Sequence, residues 1–175
     1  MAVLTIITAP DPLLKTVSRA VERVTDSERA LMKDMLETMY RNFGIGLAAI
    51  QVGVPKRILV MDLAEEGEKP SPRFFVNPLL AWRSGEAAVY NEGCLSVPDH
   101  YAEVERPARC RATFLDYDGE PREILADGLL ATCLQHEIDH LDGVLFIDRI
   151  SDLKRKMILK KLTKAQREEL AQHTL

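Results

Sequence analysis

Asp127-Gly128-Leu129-Leu130-Ala131-Thr132-Cys133-Leu134-Gln135-His136-Glu137-Ile138-Asp139-His140-Leu141-Asp142-Gly143 is the stretch on which the reading of this chain turns. It predicts a helix that starts after Asp127-Gly128, runs through His140 to about Leu141 and ends at Gly143. His136 and His140 are four residues apart and so share one helical face, where two imidazoles can bracket a single metal ion. Glu137 directly follows the first of them, the placement a general base needs to reach an activated water. Taken alone, the pattern serves equally well as two helical histidines paired with carboxylates and no metal.

A metal ion held for chemistry needs a third protein ligand, and the chain has three cysteines, Cys94, Cys110 and Cys133. Cys133 shares the face of His136, but it lies seven residues from His140, about 10 Å along a helix axis. It reads better as core or pocket wall. Cys110 stands between Arg109 and Arg111, where nothing marks it as a ligand. Cys94 sits in Glu92-Gly93-Cys94-Leu95-Ser96-Val97-Pro98, where Gly93 permits a close approach and Pro98 stiffens the exit. By itself Cys94 still reads as a small buried side chain. Three unevenly placed cysteines do not make a disulfide framework.

Working outward, Thr25 and Glu28 form a predicted capping box. Leu31, Met32, Met35, Leu36, Met39, Tyr40 and Phe43 then keep the 3.6 period, and Gly44 is the expected stop. The middle of the chain reads as β. Strand character falls at 57–62, 74–78, 85–90, 101–106, 111–117 and 121–126, with Asp118-Gly119 as a hairpin turn. The loop 64–73 is the expected mobile surface segment. A last helix begins at Ser151, with Leu153, Met157, Ile158 and Leu162 as its expected inner face and a break expected at Thr163. The fold class is therefore α+β: one domain over 1–175, a mostly antiparallel sheet wrapped around a central metal-binding helix, with a C-terminal helix.

At 175 residues, 46% hydrophobic and 29% charged, the composition is that of a globular protein able to enclose a core. A net charge of −4 gives no reason to expect sequence-specific nucleic-acid binding. The segment 151–175 is the exception: seven Lys/Arg against three acids leave it at +4. The start has no basic region followed by a long apolar run, and no stretch approaches the roughly 20 apolar residues of a membrane span. A cytoplasmic protein is expected; the same features suit an organellar form after loss of a transit segment.

Gly44-Ile45-Gly46-Leu47-Ala48-Ala49-Ile50-Gln51-Val52-Gly53 lacks the Gly-Lys-Ser/Thr ending of a phosphate loop and is too apolar for one. It reads either as a tight helix-to-strand turn or as a polar amide held where another backbone comes near. In this order, G-I-G-L-A-A-x-Q, E-G-C-L-S and Q-H-E-x-D-H resemble the signature set of the peptide deformylases. The likeness continues through the connecting segments and covers nearly the whole chain.

That resemblance implies a hydrolase removing the N-formyl group from the formyl-methionine of nascent polypeptides. It implies Cys94, His136 and His140 as metal ligands, with water in the fourth position, and Glu137 as general acid and base. Gln51, by its side-chain amide, and Leu95, by its backbone N–H, would stabilise the oxyanion, and Gly46 would bond the substrate backbone. Ile45, Tyr90, Leu129, Cys133 and the ring of His136 are the expected walls of the methionine pocket. The implied cofactor is Fe²⁺, with Zn²⁺, Ni²⁺ or Co²⁺ able to take its place in purified protein. A Glu92–Arg106 pair would hold the cysteine loop, and the basic C-terminal helix would dock on the ribosome. One departure is Tyr101, where some bacterial members carry arginine; it leaves preferences beyond the first substrate residue open. Two rivals differ in class. A zinc endopeptidase would need a downstream ligand, for which only His173 and carboxylates in a basic helix are offered. A non-cutting metal module would leave Glu137 and Gln51 without purpose.

Overall fold

The computed structural model describes residues 2–172. His173, the alternative downstream ligand, and the last two residues of the C-terminal segment lie outside them. Helix α1 spans Asp26–Arg41, and its capping box is formed: Ser27 N–H donates to the Thr25 hydroxyl at 3.3 Å, and Thr25 N–H to the Glu28 carboxylate at 3.0 Å. The helix does not end as the sequence suggests. Phe43, not Gly44, takes the left-handed backbone (φ 56°). Gly44 answers a different need, since a Cβ there would stand 2.8 Å from Leu95 Cδ1.

Five strands form one antiparallel sheet in the order β1-β2-β3-β6-β7: β1 Gly46–Ala48, β2 Ile58–Met61, β3 Arg73–Arg83, β6 Arg109–Leu115 and β7 Pro121–Asp127. β2 is buried along its whole length, which explains its unbroken apolar run. Alternation sends Ile58 and Val60 to a cluster with Met32, Met35 and Met39 of α1. Leu59 and Met61 go to the opposite cluster with Ala131, Leu134, Ile138 and Leu141 of α2, which spans Gly128–Leu141. The sheet thus lies between two helices.

The remaining strands, β4 Ala87–Cys94 and β5 Val97–Pro107, make a separate antiparallel hairpin. Val97 and Val104 pack with Ala9, Leu14, Phe146 and Leu162 in a third cluster. β5 contacts α2 as well, so the helix has strands of both sheets against it, and every residue from Ala131 to Leu141 is buried. A helix enclosed on all sides must pair its polar groups internally. Gln135, His136 and Asp139 are paired in this way, whereas Glu137 Oε2 and His140 Nδ1 have no hydrogen-bond partner among the described residues.

Helix α3, Asp152–Gln172, runs unbroken through Thr163, whose hydroxyl donates to the Leu159 carbonyl at 2.9 Å. That local bond satisfies the side chain within the helix, and the expected break is not present. The expected inner face is also shifted. Ile158 and Leu162 meet the core as expected and Leu159 joins them, but Leu153 and Met157 are exposed. The loop after β2 is tied at both ends: the Asp62 carboxylate accepts from Ala64 N–H, Ser71 N–H and the Tyr40 hydroxyl at 3.0, 2.9 and 2.6 Å. Among the described residues no helix is long and apolar enough to cross a membrane.

Candidate metal centre

Cys94 comes from the end of β4, next to the two-residue turn Leu95-Ser96 that leads into β5. The register jumps there, from Gly93 opposite Tyr101 to Cys94 opposite Val97, and Asp99 in the extra segment adopts φ 63°. The Tyr101 ring lies against Gly93; a Cβ would stand 2.6 Å from Tyr101 Cδ1 and would force this exposed ring to move. The hairpin brings Cys94 Sγ to 3.2 Å from His140 Nε2, which is itself 3.2 Å from His136 Nε2. All three ligand atoms lie within 4.8 Å of one another and can hold one metal ion.

The fit is chemical as well as geometric. His136 Nδ1 stands 2.8 Å from a Glu92 carboxylate oxygen, which keeps the proton on Nδ1 and leaves Nε2 as the coordinating atom. Burial pushes the His140 imidazole well below its ordinary range, which favours the neutral form a ligand needs, whereas at His136 burial is outweighed by hydrogen bonds with Cys94 and Glu92 and the imidazole is raised. One thiolate and two imidazoles suit a borderline or soft divalent ion and not Mg²⁺ or Ca²⁺.

Glu137 is 4% exposed, and its Oε2 has no hydrogen-bond partner among the described residues. Burial raises its carboxyl from 4.5 to about 7, offset in part by His136. Gly46 makes room for it, because a Cβ there would stand 2.9 Å from Glu137 Cδ. Gln51 is buried in the 3-10 turn Ala49–Val52 that follows β1. Its Oε1 accepts from Ala48 N–H at 2.8 Å, while its Nε2 donates to Ser96 Oγ at 3.0 Å and lies 3.5 Å from Cys94 Sγ. The segment thus forms a tight turn and also holds the Gln51 amide, although what Nε2 meets is the side chains of Ser96 and Cys94 and not a second backbone.

A cavity of about 700 Å³ opens beside these groups. Ile45, Gly46, Gln51, Tyr90, Cys94, Leu95, Leu129, Cys133, His136 and Glu137 all line it; His140 is buried and is not part of the lining. Burial drives the Cys133 thiol well above its ordinary range, which makes it an inert wall rather than a nucleophile. Cys110 is fully buried in the core.

Glu92 and Arg106 face each other in a two-pronged pair at 2.6 and 2.9 Å, both buried. Burial works against the Glu92 charge, but hydrogen bonds from Arg106 and His136 outweigh it and hold the carboxyl below its usual range. The pair does not end there. Arg106 also donates to Asp139 at 2.8 Å, and Arg149 grips Asp139 at 2.5 and 2.6 Å. Asp139, Arg149 and Ser96 are contacts that the sequence reading did not single out. Asp139 stands inside a recognised motif and Ser96 ends one, so for those two a signal existed; for Arg149 there was none.

Comparisons with known proteins agree with this architecture. The sequence pattern of the polypeptide deformylase family matches residues 3–156. A peptide deformylase of Phenylobacterium zucineum is 60% identical over 164 residues, spanning 94% of this chain and 97% of its own. One of Rhizorhabdus wittichii is 61% identical over 172 residues, spanning 95% and 97%. The crystal structure of peptide deformylase from Ehrlichia chaffeensis superposes with a TM-score of 0.91 at 45% identity, covering 97% of this chain and 99% of that one. Likeness of that extent makes this chain a member of the polypeptide deformylase family.

Proposed function

We propose the following residue roles for the reaction of this family, hydrolytic removal of the N-formyl group from the formyl-methionine of nascent polypeptides. Cys94, His136 and His140 would hold one divalent cation. When bound, it supplies Lewis acidity, making hydroxide available near neutral pH. Glu137 takes the proton from water as the oxygen attacks the formyl carbon, then passes it to the leaving amine. A carboxyl raised to about 7 suits both duties. Negative charge grows on the formyl oxygen, where the Gln51 amide and the Leu95 backbone N–H meet it. Each such donor is typically worth about 3 kcal/mol in the barrier. Gly46 bonds the substrate backbone, and Ile45, Tyr90, Leu129, Cys133 and the His136 ring receive the methionine side chain. Formate and a free amine leave.

The observation that carries this reading is the buried, unpartnered Glu137 carboxylate beside three convergent ligand atoms. Its test is formate release from a formyl-Met-Ala peptide, with acetylated and unmodified peptides as controls. Glu137→Ala should keep the metal and lose release; a variant that still deformylates at the wild-type rate refutes the assignment.

Likeness to the family favours Fe²⁺ as the working ion, with Zn²⁺, Ni²⁺ or Co²⁺ replacing it in purified protein. The chain acts in the cytoplasm as one catalytic domain, and the basic face of α3 docks on the ribosome. Leu162 is buried and Gln166 bonds Thr8 at 3.1 Å, so removing α3 would disturb the core. The better test reverses the exposed Lys154, Lys160, Lys161 and Lys164 to glutamate. Ribosome binding should fall while turnover of a short peptide is unchanged; unaltered binding refutes the docking.

A further inference from the structure

We propose that Arg149 is a positioning residue for the metal centre, acting through Asp139, Arg106 and Glu92 on His136. The proposal rests on the reading of Cys94, His136 and His140 as metal ligands.

The contacts form one continuous chain of alternating charge. The guanidinium of Arg149 forks onto both oxygens of Asp139, at 2.5 and 2.6 Å. Arg106 gives one N–H to Asp139 and two to Glu92, whose Oε2 stands 2.8 Å from His136 Nδ1. The five links come from four parts of the fold: Arg149 from the 3-10 turn Phe146–Arg149, Asp139 and His136 from α2, Arg106 from β5 and Glu92 from β4. Only the outer end reaches solvent: the Arg149 side chain is 43% exposed, against 12% at Asp139, 3% at Arg106, 5% at Glu92 and 10% at His136.

Charge balance gives Arg149 its importance. With it, two carboxylates meet two guanidiniums. Without it, Asp139 and Glu92 share Arg106 alone, and Asp139 Oδ1 loses the one side-chain donor it has among the described residues. Asp139 then competes with Glu92 for the same cation. Glu92 is the group that fixes the His136 ring, so slack at the surface end reaches the coordinating Nε2. Lysine cannot substitute fully, because a point charge does not reproduce the planar fork.

The experiment compares wild type, Arg149→Ala and Arg149→Lys, with Arg155→Ala as control. Arg155 pairs with Asp148 on the same 3-10 turn at 2.8 Å, outside this chain of contacts. The readouts are Co²⁺ affinity by competition with a chelator, the cobalt–thiolate absorption band, and the unfolding midpoint. Arg149→Ala should weaken Co²⁺ about tenfold, the lower end of what such supporting contacts contribute, and should alter the band. Arg149→Lys should recover part of both, and Arg155→Ala should lower the midpoint alone. Unchanged affinity and band in Arg149→Ala overturn the proposal, as does equal loss in Arg155→Ala at equal destabilisation. A wild-type protein with no cobalt–thiolate band refutes the ligand reading itself, and the proposal with it.

Discussion

Replacing the Glu137 carboxylate by an amide should make the metal-free protein more stable while abolishing its chemistry. Burial holds the Glu137 carboxyl at about 7 against an ordinary value of 4.5, so the folded chain prefers the protonated form. Such a group favours folding fully below pH 4.5, and that benefit is lost as pH rises through 7. At about 1.4 kcal/mol per pH unit, the gap between 4.5 and about 7 corresponds to about 3 kcal/mol at full ionisation. Glutamine at 137 does not titrate, so Glu137→Gln removes this penalty. Urea unfolding of both proteins in the presence of a chelator, at pH 5, 6, 7 and 8, measures it directly. His136 and Glu137 act on each other's protonation, so the pH-dependent part of the difference reports the Glu137 carboxyl together with its coupling to His136. The amide's own cost is a constant offset, whereas the carboxyl contribution grows with pH. The variant should gain about 2–3 kcal/mol relative to wild type between pH 5 and pH 8. Parallel stability curves, with a difference independent of pH, would refute the claim that Glu137 is held in a site that penalises its charge.

Gly46→Ala would place a Cβ 2.9 Å from Glu137 Cδ, so the carboxylate must move. It should cost about 1–3 kcal/mol of stability and lower kcat while metal binding persists; wild-type kcat would show that the contact is not needed. Arg106→Ala leaves Glu92 and Asp139 charged in a buried site with Arg106 gone, and should destabilise by about 3–5 kcal/mol in urea unfolding. A loss under 1 kcal/mol would mean that the carboxylates find water or take up protons. An iron-loaded enzyme with a thiolate ligand should lose activity in air within a time that leaves Ni²⁺- or Co²⁺-loaded enzyme intact. Equal survival in an aerobic time course would count against iron–thiolate oxidation.

The parts of the molecule that depend on neighbours in sequence were open to reading from the chain. Thr25 and Glu28 cap α1 because they are three residues apart, Asp118-Gly119 turns a hairpin because Gly119 supplies φ 87°, and His136 and His140 share a face because a helix repeats every 3.6 residues. The helix of the metal motif runs from Gly128 to Leu141, as its flanking Asp-Gly pairs suggest. Where several weak local signals compete, the chain misled. Gly44 looked like the stop of α1, yet Phe43 carries the left-handed turn and Gly44 is small on account of Leu95. The inner face of α3 followed the core it meets, not the most regular apolar spacing.

What lies between residues far apart in sequence was decided by tertiary structure alone. Local spacing brings His136 and His140 together, but no spacing rule carries Cys94 across 46 positions to within 3.2 Å of His140; the hairpin of β4 and β5 packing on α2 does that. The same packing takes an ordinary glutamate and, by excluding water, shifts its proton affinity to about 7. It also threads Arg149 into a line of charges that ends at His136. A sequence names the groups and their order; distance, dielectric and charge balance arise only when separate elements close around them.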